Sequence, residues 1–208
     1  MHNKIDANAI ILAGGKSSRM GMEEDKALLK IAGFRIIEKV CCELQPYFHE
    51  IIISTCAETL KNYAFLPYHK AVDHQMNQGP LMGILSGLQI SSHSVNFVIA
   101  CDIPEIDFSF LRKMANFTYD YDIVVPFSDN EKYEPLFAFY HKGLIPKIEG
   151  LLNAGIRKII ELFSLCRVKY IPMDGEGWYY NLNTPDDYKQ YLNRIKRNSP
   201  RKSPQKEK

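Results

Sequence analysis

Four short segments of this chain carry residue types that could serve phosphoryl-group chemistry. The first is LAGGKSSRMG, residues 12–21, directly after the apolar run Ala9-Ile10-Ile11-Leu12, with Asp25-Lys26 downstream. Paired glycines let the backbone approach a ligand closely, because no Cβ intervenes. Exposed N–H groups in such a loop bind phosphate oxygens, and Lys16, Arg19 and Lys26 can neutralise their charge. Spacing excludes two better-known phosphate loops. A Walker A loop needs a glycine where Ile10 stands. The dinucleotide fingerprint needs Gly-x-Gly, whereas Gly14 and Gly15 are adjacent. The competing reading is a flexible glycine turn after an edge strand.

The second segment is Cys101-Asp102-Ile103-Pro104, after the apolar run Phe97–Ala100. A carboxylate at a strand end, opposite a phosphate loop, is placed to hold Mg²⁺, which takes one or two carboxylates plus substrate phosphates and water. An Asp that only caps the next turn is the alternative. The third is Asn181-Leu182-Asn183-Thr184-Pro185. Alternate residues of an extended segment point the same way, so two amides could meet one polar substrate. Asn183 could equally shape the turn before a helix. The fourth, Gln78–Gly83, opens a helix whose N-terminus favours anions, and its glycines could also serve packing. Cys101 reads as a small buried strand residue rather than a nucleophile. Glu134-Pro135-Leu136 is ambiguous and could be ordinary strand entry.

Strands and helices must position these groups. Strand candidates are Ala9–Ala13, Glu50–Ser54, Lys70–Asp73, Asn96–Cys101, Asp122–Phe127, Pro135–Tyr140 and Val168–Pro172. Helical patterns occupy Ile36–Leu44, Leu81–Ile90, Phe108–Asn116 and Leu144–Leu152. Thr184 is a good N-cap for a last helix, with Pro185 at its first position and Asp186 and Asp187 in its first turn. The alternation predicts an α/β fold: three layers, with a mostly parallel sheet between helices. In such sheets the ligand site lies beyond the carboxyl ends of the strands. The ends at Leu12–Gly15, Asp73 and Cys101–Pro104 should therefore converge.

The 208 residues suit one domain, and 46% hydrophobic content suffices for a full core. No run approaches a membrane span, and the first residues lack a signal peptide's apolar stretch, so a cytoplasmic protein is expected. Five cysteines without a Cys-x-x-Cys pair argue against a disulfide framework or a cysteine zinc site. Of the chain's 26 basic and 24 acidic residues, seven and one fall in 194–208, leaving the body near −4. The predicted organisation is a domain over 1–193 and a disordered basic tail over 194–208. Nothing in the body supports nucleic-acid binding.

Together these segments resemble the molybdenum cofactor guanylyltransferases, within the Rossmann-like nucleotide-diphospho-sugar transferase fold. The resemblance rests on residues 12–21, Asp25-Lys26 with ALLKIAG (27–33), Val72-Asp73, GPLMGI (79–84), residues 101–104, Glu134–Leu136 and NLNTPDDY (181–188). These keep the family's order and leave only the tail outside. Met22-Glu23-Glu24 lengthen the loop before Asp25, and Ser54 stands where some relatives carry a polar nucleotide contact.

The resemblance implies that GTP and Mg²⁺ bind at the strand ends and that the phosphate of molybdenum-bearing molybdopterin attacks the α-phosphorus. Pyrophosphate leaves and molybdopterin guanine dinucleotide forms. It further implies that Leu12, Ala13 and Gly14 contact the nucleotide, Lys26 its phosphates and Asp73 its nucleoside. Asp102 would hold nucleotide and Mg²⁺, Arg19 and Lys26 would neutralise charge, and Asn181 and Asn183 would lie near the pterin. Molybdoenzyme maturation proteins are candidate partners. The alternatives are a CTP-dependent cytidylyltransferase for the same pterin, a sugar-1-phosphate nucleotidyltransferase, and a nucleotide-binding regulator without catalysis.

Overall fold

The apolar runs form strands, and the amphipathic stretches between them form helices. The computed structural model describes residues 4–14, 25–75, 77–128, 132–173 and 179–198. Its strands are β1 (Asn8–Leu12), β2 (Lys30–Ile31), β3 (Phe34–Arg35), β4 (Ile51–Thr55), β5 (His69–Val72), β6 (Val95–Ala100), β7 (Ile123–Phe127), β8 (Phe137–His141) and β9 (Val168–Pro172). Its helices are α1 (Ile36–Leu44), α2 (Pro80–Ile90), α3 (Phe108–Ala115), α4 (Ile145–Asn153), α5 (Ile160–Phe163) and α6 (Pro185–Asn198). All seven expected strands are present, within a residue or two of their expected limits.

They make one sheet in the order β5-β4-β1-β6-β8-β7-β9. β8 pairs antiparallel with both β6 and β7, and every other pairing in the sheet is parallel. Period-two alternation divides the core between the two faces. Ala9, Ile11, Phe97 and Ile99 join α1, α3 and α6 on one face. Ile10 and Val98 join α2, α4 and α5 on the other. The sheet is thus the middle of three layers.

α2 lies close to the sheet because two of its residues lack side chains. A Cβ at Gly87 would stand 2.6 Å from Ile10 Cγ2, and one at Gly83 would stand 2.9 Å from Ser54 Oγ. The Gly83 of the GPLMGI segment is therefore a packing residue. Gly79, at the N-cap, has φ +72°, which favours glycine. β2 and β3 form a hairpin that the sequence reading does not include. Its turn residues Ala32 and Gly33 both have positive φ, as a tight two-residue hairpin turn requires.

The last helix begins as expected and ends later. Thr184 Oγ1 accepts from Asp187 N at 3.1 Å, and Asp187 Oδ2 accepts from Thr184 N at 2.7 Å, forming a reciprocal cap. The helix then runs through Asn198, so residues 194–198 belong to the body rather than to a tail starting at 194. The reason is amphipathic spacing: Tyr188, Tyr191, Leu192 and Ile195 all pack on the core. Arg194 pairs with Glu105 at 3.2 Å. Residues 199–208 lie outside the described residues. Removing 199–208 should leave the melting temperature and turnover unchanged. Cutting after residue 193 should remove about 1–2 kcal/mol of burial, or about 2–8 °C for a chain of this size. Differential scanning calorimetry on the two truncations checks both.

Among the described residues, no helix is long and apolar enough to cross a membrane.

Candidate active site

Backbone hydrogen bonds carry three strand ends to one edge. Ala13 N donates to Ser54 O at 2.8 Å, Cys101 N to Leu12 O at 3.1 Å, and Asp73 N to Thr55 O at 2.9 Å. β1 is central in this group, with β4 and β6 on either side. The chain therefore switches direction around β1, where open α/β sheets hold their ligands. Gly14 sits against the end of β4, where a Cβ would meet Cys56 N at 3.1 Å. Lys16 and Arg19, with the rest of residues 15–24, lie outside the described residues.

One buried hydroxyl fixes both flanks of that loop. Tyr63, fully buried, donates to Ala13 O at 2.6 Å and contacts the Asp25 carboxylate. Asp25 Oδ1 in turn accepts from Ala27 N at 3.1 Å and starts the short 3₁₀ turn Lys26–Leu28. Lys26 is thereby held at the edge despite the longer loop. Its Nζ donates to Asn183 O at 3.0 Å and approaches Leu182 O at 3.4 Å. Leu182 N donates to Asp102 O at 2.9 Å. The Asp25-Lys26 segment, the end of β6 and the Asn181–Pro185 segment thus meet.

Electrostatics mark the same place. Burial raises the Asp102 carboxyl above its ordinary range, and the Lys26 ammonium opposes the rise. Burial also raises Asp73, while hydrogen bonds to Ser86 and Ser54 oppose it. The Cys101 thiol is pushed well up by burial and by Asp102, which fits an inert buried side chain. Five buried side-chain oxygens among the described residues lack a hydrogen-bond partner; Asp73 Oδ1, Asp102 Oδ1 and Asn181 Oδ1 are three of them. Buried acceptors are normally satisfied. Asp102 Oδ1 and Asn181 Oδ1, on segments joined by the Leu182 N–Asp102 O bond, are hard oxygen acceptors of the kind Mg²⁺ takes, while Asp73, three strands away at the end of β5, is placed for the donors of a nucleotide.

Asn181 and Asn183 do not behave alike. Asn181 turns its oxygen inward, whereas Asn183 is exposed and its N–H accompanies Thr184 N on Asp187 Oδ2. Gln78 is held from outside by Arg157 Nε at 2.9 Å. Glu134 is buried and accepts from Tyr179 OH at 2.8 Å, with Lys132 Nζ at 3.1 Å. Leu136 O accepts from Ala100 N at 2.9 Å, which sets this pair beside the end of β6. Tyr63 and Tyr179 were absent from the sequence reading. No motif or periodicity singles out either one as a site residue.

The chain is similar to known proteins along most of its length. The model of the MobA-like NTP transferase domain matches residues 9–168. A probable molybdenum cofactor guanylyltransferase of Pelotomaculum thermopropionicum is 37% identical, covering 88% of this chain and 90% of that one. One from Carboxydothermus hydrogenoformans is 35% identical over 88% of this chain and 93% of its own length. The crystal structure of molybdopterin-guanine dinucleotide biosynthesis protein A from Archaeoglobus fulgidus superposes with a TM-score of 0.79. It is 25% identical and covers 91% of this chain and 99% of its own.

Proposed function

Because this chain belongs to the MobA-like NTP transferase family, we propose that it transfers GMP from GTP to molybdenum-bearing molybdopterin. The products are molybdopterin guanine dinucleotide and pyrophosphate. The chain is a nucleotidyltransferase with the mostly parallel sheet of the nucleotide-diphospho-sugar transferase fold. The observation that carries the reading is the junction of Lys26, Asp102 and the Asn181–Asn183 segment beside the end of β1. The names of its relatives favour GTP as donor and a pterin as acceptor over a cytidylyl, sugar-phosphate or non-catalytic reading.

The nucleophile is a phosphate oxyanion, so no strong base is needed. Its oxygen forms a bond to the α-phosphorus as the bond to the β-phosphate oxygen breaks, and pyrophosphate leaves with that electron pair. Rate then depends on alignment and on neutralising charge. Leu12, Ala13 and Gly14 receive the nucleotide along the end of β1, and Asp73 faces its nucleoside. Lys26, with Arg19 from the loop, offsets phosphate charge. Asn181 and Asn183 lie toward the pterin. Asp102 would hold Mg²⁺, which supplies electrostatic stabilisation to the transferred phosphoryl group when bound. Maturation proteins that load molybdoenzymes are the partners in hand-over.

GTP should bind more tightly than CTP, ATP or UTP when Mg²⁺ is present. Titration calorimetry measures this directly. A tenfold preference for CTP, about 1.4 kcal/mol, would replace the guanylyl reading by a cytidylyl one.

A further inference from the structure

The opposite edge of the sheet carries a second cluster that nucleotide transfer does not use. Asp6 precedes β1, His49 precedes β4 and His93 precedes β6. With β1 five residues long, this amino edge lies about 17 Å from the strand ends that form the active site. His49 Nε2 stands 3.9 Å from Asp6 Oδ1, and His93 Nε2 stands 3.8 Å from the same oxygen. The two imidazoles are stacked, with centroids 4.6 Å apart and planes 18° apart. One ligand atom from each residue lies within 4.8 Å of the other two. We propose that Asp6, His49 and His93 form a site for a zinc-class divalent cation, separate from the metal of nucleotide transfer.

Three observations carry this. The distances are too long for direct hydrogen bonds. They are slightly longer than the edge of about 3.3 Å expected between tetrahedral zinc ligands at bonds of 2.0–2.1 Å. Nearly parallel rings cannot both aim Nε2 at one ion, so the exposed His49 ring would turn out of the stack on binding, with exposed Asp6 closing in, while His93 stays in place. The surroundings also fix a tautomer. Ser92 Oγ donates to Glu50 Oε2 at 3.1 Å and accepts from Asn8 Nδ2 at 3.1 Å. Its proton is thereby committed to the carboxylate, so His93 Nδ1, 3.2 Å away, donates to Ser92. The lone pair of His93 then lies on Nε2, which faces Asp6. A hydrogen bond of this kind from the other ring nitrogen is what orients metal-binding histidines.

Backbone pairing makes the cluster rigid where it matters. His49 N donates to Ala7 O at 3.1 Å, and Ala9 N to Glu50 O at 2.9 Å. The three ligands therefore come from adjacent, hydrogen-bonded strand starts. Two imidazoles and one carboxylate suit zinc, cobalt or nickel better than magnesium, which prefers oxygen ligands. A bound ion would tie the starts of β1, β4 and β6 together and raise the melting temperature by linkage.

The test uses the full chain without a polyhistidine tag, stripped with a chelator and titrated with cobalt(II). The expected result is one equivalent that gives the strong visible absorption of four-coordinate cobalt without a thiolate charge-transfer band. Zinc should displace it, and zinc should raise the melting temperature. Asp6→Asn, His49→Gln and His93→Gln should each lose the band and the zinc-dependent rise, while Asp102→Asn keeps both. Asp6 and His49 are exposed, so their variants should fold. Absence of a stoichiometric band would overturn the proposal. So would a band that survives the histidine variants, or one that disappears with Asp102→Asn alone.

Discussion

Asp102→Asn should lower turnover by ~10²–10³ while leaving the melting temperature at or above that of the unaltered chain. Asparagine keeps the shape but loses the charge, and it puts a donor NH₂ where an acceptor oxygen stood. Asp102 Oδ1 is buried without a partner, so the fold gains nothing from it that the amide would lack. Burial raises this carboxyl above its unfolded value, with Lys26 opposing. A group with a raised folded pKa contributes stability below its unfolded pKa, and the contribution is lost as pH rises through the folded pKa. At neutral pH the buried charge is therefore a cost, which the variant removes. Activity has the opposite slope: transfer needs the ionised carboxylate, so at limiting Mg²⁺ it should fall as pH drops into a range above that of an ordinary Asp, and saturating Mg²⁺ should move that fall to lower pH. Product formation at saturating GTP over a range of Mg²⁺, beside a melting curve, reads both. Near-normal turnover in a folded variant would remove Asp102 from the mechanism.

Lys26→Met should reduce kcat/KM for GTP by ~10²–10³, for two reasons that separate experimentally. The ammonium offsets charge on the phosphates, so its loss should raise the KM for GTP and slow the chemical step. It also lowers the Asp102 pKa, so the acid limb of the pH–rate profile should move toward higher pH. Lys26 Nζ further bridges the carbonyls of Leu182 and Asn183. Methionine keeps most of the stem while removing those donors. A lysine that only tied two loops together would change stability and leave the pH profile in place. Steady-state kinetics across pH distinguishes these outcomes.

The parts of this molecule legible in the sequence are those written locally. β1, β4 and β6 are short apolar runs bounded by polar residues, and the acids that end β5 and β6 follow directly. The Thr184-Pro185 start of α6 is equally local. What sequence hides is contact across distance. Tyr63 reaches Ala13 over 50 positions and Tyr179 reaches Glu134 over 45, and neither has a periodic signal. β8 runs against its neighbours, yet a strand buried on both faces reads the same in either direction. The β2–β3 hairpin has only two residues per strand, too few for alternation to show. The charges of residues 194–198 concealed the apolar stripe that keeps them helical. Of the glycine segment that suggested the chemistry first, Leu12, Ala13 and Gly14 are at the end of β1, and residues 15–24, with Lys16 and Arg19, lie outside the described residues.

The central claim is guanylyl transfer to a pterin phosphate, and one measurement addresses it most directly. The protein is incubated with molybdopterin, Mg²⁺ and each of the four nucleoside triphosphates in turn, and the dinucleotide is identified by mass while pyrophosphate is counted. The account predicts molybdopterin guanine dinucleotide from GTP, with one pyrophosphate released per product. A cytosine dinucleotide formed in preference, or no dinucleotide from a chain that binds GTP, would contradict it.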